Sequence, residues 1–321
     1  MKQRTLGASG IKVSEIGLGC MGMHHAYGAP ADQGEMTQLI RRACELGCNF
    51  FDTAAIYGED NERTLGSAVA PVREQTVLAT KFGITGQAIV DGKPMNILNS
   101  KPASIRQQLE GSLKRLGTEY IDLYYQHRVD PEVGPEEIAG VMKELVAEGK
   151  IRAWGLSNAE PDYLRRAHAV CPVAAVENQY SMVWRMPEKE QFSLCEELGI
   201  SFVAYSPLGN GFLSGKYTKD TRYGEGDFRS FMGRFKPEVM DKNQALLDLL
   251  ADTARKKQAT NAQIVLAWEL AQKPYIIPIP GTTKQHRLEE NLSSANVVLT
   301  KTEMQYLNDA LADIDVDETH F

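Results

Sequence analysis

The segment Thr76-Val77-Leu78-Ala79-Thr80-Lys81-Phe82 decides the fold of this chain. Its apolar residues follow one another without alternation, which is typical of a parallel strand that is buried on both faces. Segments of the same kind recur on both sides of it, and helical patterns separate them. We predict eight such strands, at residues 13–19, 49–54, 76–82, 121–127, 151–157, 174–180, 200–207 and 275–280.

Amphipathic helices fill the intervals between these strands. One helix ends before Gly149 and has an apolar face with helical spacing, formed by Ile138, Val141, Met142, Leu145 and Val146. A second begins at Pro102 and ends at Gly117, and a third begins with the capping box Thr260-x-x-Gln263. Eight strands that alternate with helices, without a linker-like stretch, predict an α/β fold: a single (β/α)8 TIM barrel domain over residues 1–321.

Two segments depart from the alternation. Residues 4–13 have the pattern of an N-terminal β-hairpin, which we expect to plug the floor of the barrel. Residues 208–236, after the seventh strand, are rich in glycine and charge and only weakly periodic. Loops of that length inside a compact domain are usually functional, so we expect this long loop to contribute to a site.

Composition excludes several classes of function. The 321 residues are 43% apolar, and 35 Lys and Arg against 42 Asp and Glu give a net charge of −7. An acidic chain without a basic run is a poor electrostatic match for nucleic acid or an anionic membrane, so neither is an expected partner. The apolar runs are strand-sized and the first residues lack a signal-peptide core. Five cysteines without a CxxC pair favour neither disulfides nor zinc, and we expect a cytoplasmic protein.

The motif Gly17-Leu18-Gly19-Cys20-Met21-Gly22 spells the GxGxxG fingerprint of a Rossmann fold. That fold requires a helix at the third glycine and an acidic residue about 20 positions later. Here the helical pattern begins only near Gly34, and Asp52 comes too late. We therefore interpret these glycines as residues that let the chain turn tightly at the barrel mouth.

Four polar residues follow buried runs at the carboxyl ends of consecutive strands. Asp52 and Tyr57 follow the second strand, Lys81 ends the third and His127 ends the fourth. Each alone also fits a structural role: a helix cap, an ion pair or a core histidine. In a barrel, however, all strand ends of this kind meet at the face where barrel enzymes carry out their chemistry. Their alignment therefore favours one shared catalytic site.

The four residue types suit the reduction of a carbonyl group. Hydride addition leaves an alkoxide that needs a proton, and a tyrosine hydroxyl is protonated at neutral pH. A lysine beside Tyr57 lowers the pKa of the phenol, and Asp52 holds that lysine charged. A neutral His127 orients the carbonyl oxygen. No metal is needed for this chemistry, and only Cys20 with His24 and His25 faintly suggests a metal site.

At this point the chain resembles the aldo-keto reductase family over nearly its whole length. Six motifs carry the resemblance: residues 49–58 with Asn61-Glu62, residues 79–81, 122–127, 155–158, 177–180 and 205–209. The segment at residues 211–216 is similar to the branch with auxin-induced-type reductases, pyridoxal reductases and potassium-channel β subunits. The resemblance implies a (β/α)8 barrel that binds NADP(H) and a catalytic tetrad of Asp52, Tyr57, Lys81 and His127, with Tyr57 as general acid.

The same resemblance implies the cofactor-binding residues. The nicotinamide is expected on Ser157, Asn158 and Gln179, with Tyr205 stacked on its ring. The pyrophosphate segment comprises Ser206, Leu208, Gly209, Gly211 and Lys216. After the eighth strand come Gly281, Thr282 and Lys284, then Arg287 for the 2′-phosphate and Glu290 and Asn291 for the adenine. A guanidinium fork suits a phosphate and favours NADPH over NADH. Family members often have a lysine where this chain has Gly281, which leaves Arg287 as the main discriminator.

The substrate is expected to be a small carbonyl compound with an apolar or aromatic body. The pocket rim is expected to comprise Met23, His24, Tyr27 and Trp184, with Phe228 and Phe231 from the long loop. Arg128 has two open interpretations: an anchor for a substrate carboxylate or phosphate, or an ion pair with Asp130 or Glu132.

An alternative function also follows from the resemblance. The potassium-channel β subunits use the same barrel as a cofactor-sensing regulatory module. His127 favours an enzyme, because those regulators resemble the family with an asparagine at that position.

Overall fold

A parallel eight-stranded sheet is the centre of the fold. The computed structural model describes residues 1–90 and 93–319. After a hairpin of β1 (Gln3–Thr5) and β2 (Lys12–Ser14), the sheet strands are β3 (Leu18–Gly19), β4 (Phe50–Asp52), β5 (Val77–Phe82), β8 (Ile121–Gln126), β9 (Ile151–Ser157), β10 (Ala175–Gln179), β11 (Ser201–Tyr205) and β12 (Ile276–Pro278). Neighbours pair in the order β12-β11-β10-β9-β8-β5-β4-β3. Each sheet strand lies within one predicted segment.

Helices follow the strands around the sheet. They are α1 (Gln33–Glu45), α2 (Glu59–Val69), α3 (Pro102–Leu116), α4 (Pro135–Ala147), α5 (Pro161–Val170), α6 (Gln191–Leu198), α7 (Pro237–Lys242), α8 (Gln244–Lys257), α9 (Asn261–Gln272), α10 (Gln285–Ser293) and α11 (Lys301–Asp313). The predicted signals are confirmed: Gly117 ends α3 in a left-handed conformation and Thr260 and Gln263 form a capping box before α9. Within the described part of the chain, none of these helices has the length and apolarity to cross a bilayer.

Backbone hydrogen bonds join the first and last strands and complete the predicted (β/α)8 barrel. The amide of Gly17 donates to the carbonyl of Pro278 at 3.0 Å, and Gly19 bridges to Gly281. A Cβ at Gly19 would lie 2.7 Å from the carbonyl oxygen of Ile279. We call these contacts the seam. Gly17 and Gly19 therefore allow the backbones to approach closely at the seam, which differs from the tight turn that we inferred.

The hairpin closes the floor of the barrel, as predicted. Side chains on each strand alternate between the barrel interior and the helices, so Phe50 and Phe51 belong to different clusters. The interior cluster includes Leu6, Ile11 and Val13 of the hairpin. The hydroxyl of Ser201 accepts from Gly7 at 2.9 Å and donates to Thr5 at 3.0 Å, which ties the hairpin to β11.

Two features differ from the predicted segments. The segment 13–19 is divided, because Val13 pairs within the hairpin and the barrel strand contains only Leu18 and Gly19. A second hairpin, β6 (Ile84–Val90) with β7 (Lys93–Leu98), follows β5 and was not predicted. Its two strands pair with each other and not with the barrel, and much of their apolar surface is exposed. The hairpin sequence therefore does not have the continuous run of buried apolar residues by which we predicted the barrel strands.

Candidate active site

Strand alternation brings the polar residues to one end of the barrel interior. Residues two apart on a strand share a face, so the interior side chains of one strand form a row, which we call a column. In each column the apolar side chains come first and a polar side chain comes last. Val77 and Ala79 lead to Lys81 on β5, and Phe50 leads to Asp52 on β4. Columns on three further strands end in polar residues in the same way: Leu123, Tyr125 and His127; Ala175, Glu177 and Gln179; Val203 and Tyr205.

Lys81 is the centre of a buried ion cluster that comprises Asp52, Lys81 and Glu177. Its ammonium donates to Asp52 Oδ1 and to the carbonyl of Thr53 at 3.0 Å, and lies 3.4 Å from Glu177 Oε1. These contacts use the three donors of the ammonium group. All three side chains of the cluster are at most 4% exposed, so the charges interact with little solvent screening.

Tyr57 lies against this cluster and beside His127. It ends a short 3-10 turn directly after β4, and its ring centroid is 5.4 Å from Lys81 Nζ. The rings of Tyr57 and His127 are perpendicular, with centroids 5.8 Å apart. His127 follows β8, where its amide donates to the carbonyl of Phe82 at 2.9 Å. The structure therefore brings Asp52, Tyr57, Lys81 and His127 together.

The pKa shifts of Tyr57 and His127 keep both side chains uncharged at neutral pH. Burial raises the pKa of Tyr57 above its usual range, and the opposing effect of Lys81 is smaller. We expected the lysine to dominate, so the net direction is opposite to that expectation. Burial, followed by the charges of Lys81 and Arg128, holds the pKa of His127 well below its usual range. Tyr57 is thus protonated and His127 neutral at pH 7.

Lys81 remains charged although it is buried. Burial alone lowers the pKa of an ammonium group, but the negative charges of Asp52 and Glu177 outweigh it and raise the pKa of Lys81. Burial, with repulsion from Asp52, raises the pKa of Glu177 to about 8. Burial also raises the pKa of Asp52, so the two carboxyl groups together hold a proton at neutral pH. The proton lies mainly on Glu177, because Asp52 accepts the hydrogen bond from Lys81, and one negative charge balances one ammonium.

Glu177 was not predicted from the sequence as a site residue, although it lies within a motif of the resemblance. The available signal was a carboxylate in an otherwise apolar strand, directly after Ala174-Ala175-Val176. A charged residue at such a position is rarely buried without a partner. The partner is Lys81, which comes from a strand 96 positions earlier in the chain and is therefore not evident from local sequence.

The four residues expected at the nicotinamide lie at the ends of β9, β10 and β11. The hydroxyl of Tyr205 donates to Asn158 Oδ1 at 3.0 Å, and Asn158 Nδ2 donates to Ser157 Oγ at 2.7 Å. Gln179 is 4% exposed, and its Nε2 has no hydrogen-bond partner within the described residues. A buried amide donor without an acceptor fits a ligand that supplies a carbonyl oxygen.

The segment after β11 has an unusual backbone. Ser206 and Asn210 have positive φ values of 51° and 60°, and Gly211 has a φ of 95°. Non-glycine residues in this region are strained, and such strain is often found at ligand sites. Leu208 and Gly209 lie within this segment, Gly209 is buried, and Lys216 is exposed.

A fully buried arginine supports this segment. Arg234 Nη1 donates to Asn210 Oδ1 at 3.2 Å, while Nε and Nη2 lack partners within residues 1–90 and 93–319. Burial lowers its pKa to about 10, so the guanidinium stays charged at neutral pH. Arg234 was not predicted from the sequence. The signal that could have found it is a charged residue within the apolar run Phe231-Met232-Gly233-Arg234-Phe235.

The residues expected at the phosphate and adenine lie after β12. Gly281 is part of the seam, where a Cβ would be 2.8 Å from the carbonyl oxygen of Gly19, and Thr282 follows it. Lys284 is exposed and precedes α10, while Arg287 lies in the first turn of that helix and is half-buried. Glu290 and Asn291 lie further along α10, and Asn291 is 4% exposed.

The residues expected to line the substrate pocket are divided between core and mouth. Met23 is 1% exposed and packs in the core. His24 approaches Asn61, and the hydroxyl of Tyr27 accepts from Asn210 Nδ2 at 2.9 Å. Trp184 forms a backbone bridge with Ser181.

Two aromatic residues form the wall beside Tyr57. His25, which was not among the predicted pocket residues, stacks on Tyr57 with centroids 5.8 Å apart. Phe228 of the long loop packs edge-on against His25 at 5.7 Å, and its amide donates to the carbonyl of Ala26. The faint metal grouping is not assembled, because Cys20 Sγ faces the carbonyl of Leu18 while His24 and His25 take these other partners.

Comparisons with known proteins agree with this geometry. A model of the aldo/keto reductase family matches residues 15–312. A Glycine max protein, "Probable aldo-keto reductase 1", is 42% identical over 308 residues, which is 95% of this chain and 88% of the relative.

Two solved structures are similar over nearly their whole length. The glycerol dehydrogenase AKR11B4 from Gluconobacter oxydans has a TM-score of 0.87 at 29% identity, and covers 98% of this chain and 96% of its own. The holo form of the aldo-keto reductase AKR11C1 from Bacillus halodurans has a TM-score of 0.77 at 28% identity, and the similarity covers 97% of this chain and 96% of that chain.

The barrel, the buried ion cluster at its carboxyl-end face and the match over most of the chain lead to the same assignment. This chain belongs to the aldo/keto reductase family, and it is an oxidoreductase of carbonyl compounds.

Proposed function

We propose that this protein reduces aldehydes and ketones to alcohols with NADPH as the hydride donor and Tyr57 as the proton donor. The observation that carries the proposal is the position of Tyr57, whose ring lies 5.4 Å from the ammonium of Lys81 and directly beside His127. A neutral phenol next to a buried cation suits proton donation to a developing alkoxide.

Each residue of the proposed tetrad has a separate role. Tyr57 donates the proton, and the positive charge of Lys81 stabilises the phenolate that remains. Asp52 holds Lys81 in place through its hydrogen bond. His127, kept neutral by its depressed pKa, donates a hydrogen bond that orients the carbonyl oxygen.

The residues at strand ends β9 to β12 fit a nicotinamide dinucleotide. Gln179, whose buried Nε2 has no hydrogen-bond partner among the residues that the structure describes, would hold the carboxamide together with Ser157 and Asn158. Ser206, Leu208, Gly209, Gly211 and Lys216 would hold the pyrophosphate, and Gly281, Thr282, Lys284, Arg287, Glu290 and Asn291 the adenosine end. Within the described residues Arg287 has no carboxylate partner, which leaves its guanidinium for a 2′-phosphate. When bound, the reduced nicotinamide supplies the hydride.

We also propose that residues 1–321 act as one domain in the cytoplasm. The support is the barrel itself, whose first and last strands meet at the seam, and five cysteines that are all free.

The test is turnover of 4-nitrobenzaldehyde, followed by the loss of NADPH absorbance. Tyr57→Phe removes the donor hydroxyl and keeps the ring, so we expect turnover to fall about 100-fold or more. Binding of NADPH, measured by fluorescence titration, should not change. Tyr306→Phe on the exposed face of α11 is the matched control.

Two outcomes would overturn the proposal. One is turnover by Tyr57→Phe within about threefold of the unmodified protein, since a positioned acid contributes far more than that. The other is binding of NADPH without reduction of any aldehyde or ketone, which would favour the regulatory function.

A further inference from the structure

Arg128 is a cation at the barrel mouth with no role in the proposed tetrad. It follows His127 at the carboxyl end of β8 and is half-buried. Its Nη1 donates to the carbonyl of His127 at 3.0 Å, which bends the guanidinium back over the strand end. Arg128 therefore lies beside the residues that face the reacting carbonyl.

No carboxylate in residues 1–90 and 93–319 forms an ion pair with Arg128. The two candidates that the sequence suggested have other partners. Asp130 accepts from the amides of Ser100 at 2.7 Å and Glu132 at 3.0 Å, and the Glu132 carboxylate lies 3.3 Å from Lys101. The ion pair with Asp130 or Glu132 is therefore wrong.

The buried ion cluster does not neutralise the charge of Arg128. In the buried ion cluster, the ammonium of Lys81 is matched by Asp52, and Glu177 is mainly protonated at neutral pH. Arg128 therefore has a positive charge that no carboxylate of the described residues pairs, in a protein whose net charge is −7. An anion from outside the chain would balance it.

The charge of Arg128 also acts on the site itself. After the larger effect of burial, it lowers the pKa of Tyr57 and that of Tyr205. It contributes to the depressed pKa of His127 as well. Its field therefore covers the space that a substrate occupies beside Tyr57.

Topology separates Arg128 from the segments proposed for the cofactor phosphates. Those segments follow β11 and β12, whereas Arg128 follows β8, and β9 and β10 lie between β8 and β11 in the sheet. This separation favours the substrate, rather than the cofactor phosphates, as the source of an anion at Arg128. A carboxylate matches the planar guanidinium fork, which can donate two parallel hydrogen bonds.

We propose that Arg128 binds a carboxylate on the substrate, so that the preferred substrates are carbonyl compounds with a carboxylate group. The inference rests on the proposed function, and it names the substrate class of the same site. The aromatic wall of His25 and Phe228, together with the ring of Tyr57, suits a flat body between the carbonyl and the carboxylate.

The experiment compares kcat/KM for 4-carboxybenzaldehyde and for its neutral methyl ester, with NADPH in both cases. A charge-assisted pair predicts that the unmodified protein prefers the acid by about tenfold to 100-fold. Arg128→Met should reduce this ratio to about one, and Arg128→Lys should give an intermediate ratio. The ratio cancels any general loss of active protein. Arg165→Met, on the exposed face of α5, is the control and should keep the preference.

Each outcome is decisive. Loss of the preference in Arg128→Met alone supports the proposal. Equal kcat/KM values for acid and ester in the unmodified protein overturn it while leaving the proposed reduction intact. A preference that persists in Arg128→Met overturns the assignment to this residue. Failure to reduce either aldehyde contradicts the proposed function and removes the inference with it.

Discussion

At the scale of single residues, the two carboxyl groups on Lys81 differ in protonation. Asp52 accepts a hydrogen bond from the ammonium group, whereas Glu177 lies 3.4 Å away and has its pKa raised to about 8 by burial and by Asp52. Groups on five elements interact electrostatically with Glu177: Asp52, Lys81, Tyr125, Tyr57 and Tyr205. A change in the charge of Glu177 therefore reaches the proposed acid.

This difference predicts a pH dependence. As the pH rises through about 8, Glu177 loses its proton, and the new negative charge raises the pKa of Tyr57. A weaker acid donates more slowly, so kcat for reduction should fall above about pH 8. Glu177→Gln cannot ionise and should lack this fall. The check is kcat between about pH 6 and about pH 10, with the exposed Glu136→Gln as control. The same inflection in Glu177→Gln would contradict the assignment.

A second prediction at this scale concerns the choice of cofactor. Arg287→Ala removes the guanidinium proposed for the 2′-phosphate, so NADPH binding should weaken by about tenfold or more. NADH has no such phosphate and should bind almost as before. Titration of both dinucleotides checks the difference, and Lys284→Ala, at an exposed position, is the comparison. Equal losses for both dinucleotides would refute the role of Arg287.

At the scale of elements, two helical glycines have different surroundings. Gly66 of α2 packs on the end of α3, where a Cβ would lie 2.1 Å from the carbonyl oxygen of Leu116. At Gly140 of α4, an added Cβ would have no heavy atom of the described residues within 4 Å. Helix propensity favours alanine at both positions, but only Gly140 has space for it.

Substitution of Gly66 and of Gly140 by alanine should change the stability of the protein in opposite directions. Gly66→Ala should lower the free energy of unfolding by about 1–3 kcal/mol, because α2 and α3 must move apart. Gly140→Ala should raise it by about 0.5–1 kcal/mol. Urea unfolding of both variants measures the difference. If Gly66→Ala is as stable as the unmodified protein, the close packing of α2 on α3 is wrong.

At the scale of the whole molecule, the barrel depends on the seam. Its backbones approach so closely that Cβ atoms at Gly19 and Gly281 would each lie under 3 Å from a carbonyl oxygen of the opposing strand. Gly19 belongs to the GxGxxG motif, so a pattern associated with nucleotide binding here serves barrel closure. The same contact accounts for a glycine at position 281.

Gly19→Ala is the corresponding prediction. The added methyl group would force β3 away from the segment after β12, and the free energy of unfolding should fall by about 1–3 kcal/mol. Chemical denaturation is the measurement. Gly224→Ala in the long loop, where an added Cβ has no neighbour within 4 Å in the described part of the chain, should be neutral by comparison. A neutral Gly19→Ala would mean that the seam is wider than described.

The sequence alone predicted segments that contain the eight barrel strands, the capping signals and the four strand-end positions of the proposed tetrad. It did so because burial, strand alternation and helix caps are local properties, visible as runs and spacings of a few residues. The contact between Tyr57 and His127 followed from the rule that strand ends meet at one face of a barrel.

Other properties were decided only by tertiary structure. Glu177 joins Lys81, Arg128 has no ion pair within the described residues, and Gly19 meets Gly281 across the seam. Each depends on contacts between segments far apart in the chain. The direction of the Tyr57 pKa shift was also outside the reach of sequence. It depends on how much of the side chain is removed from water, and burial of a single group is a property of the folded barrel.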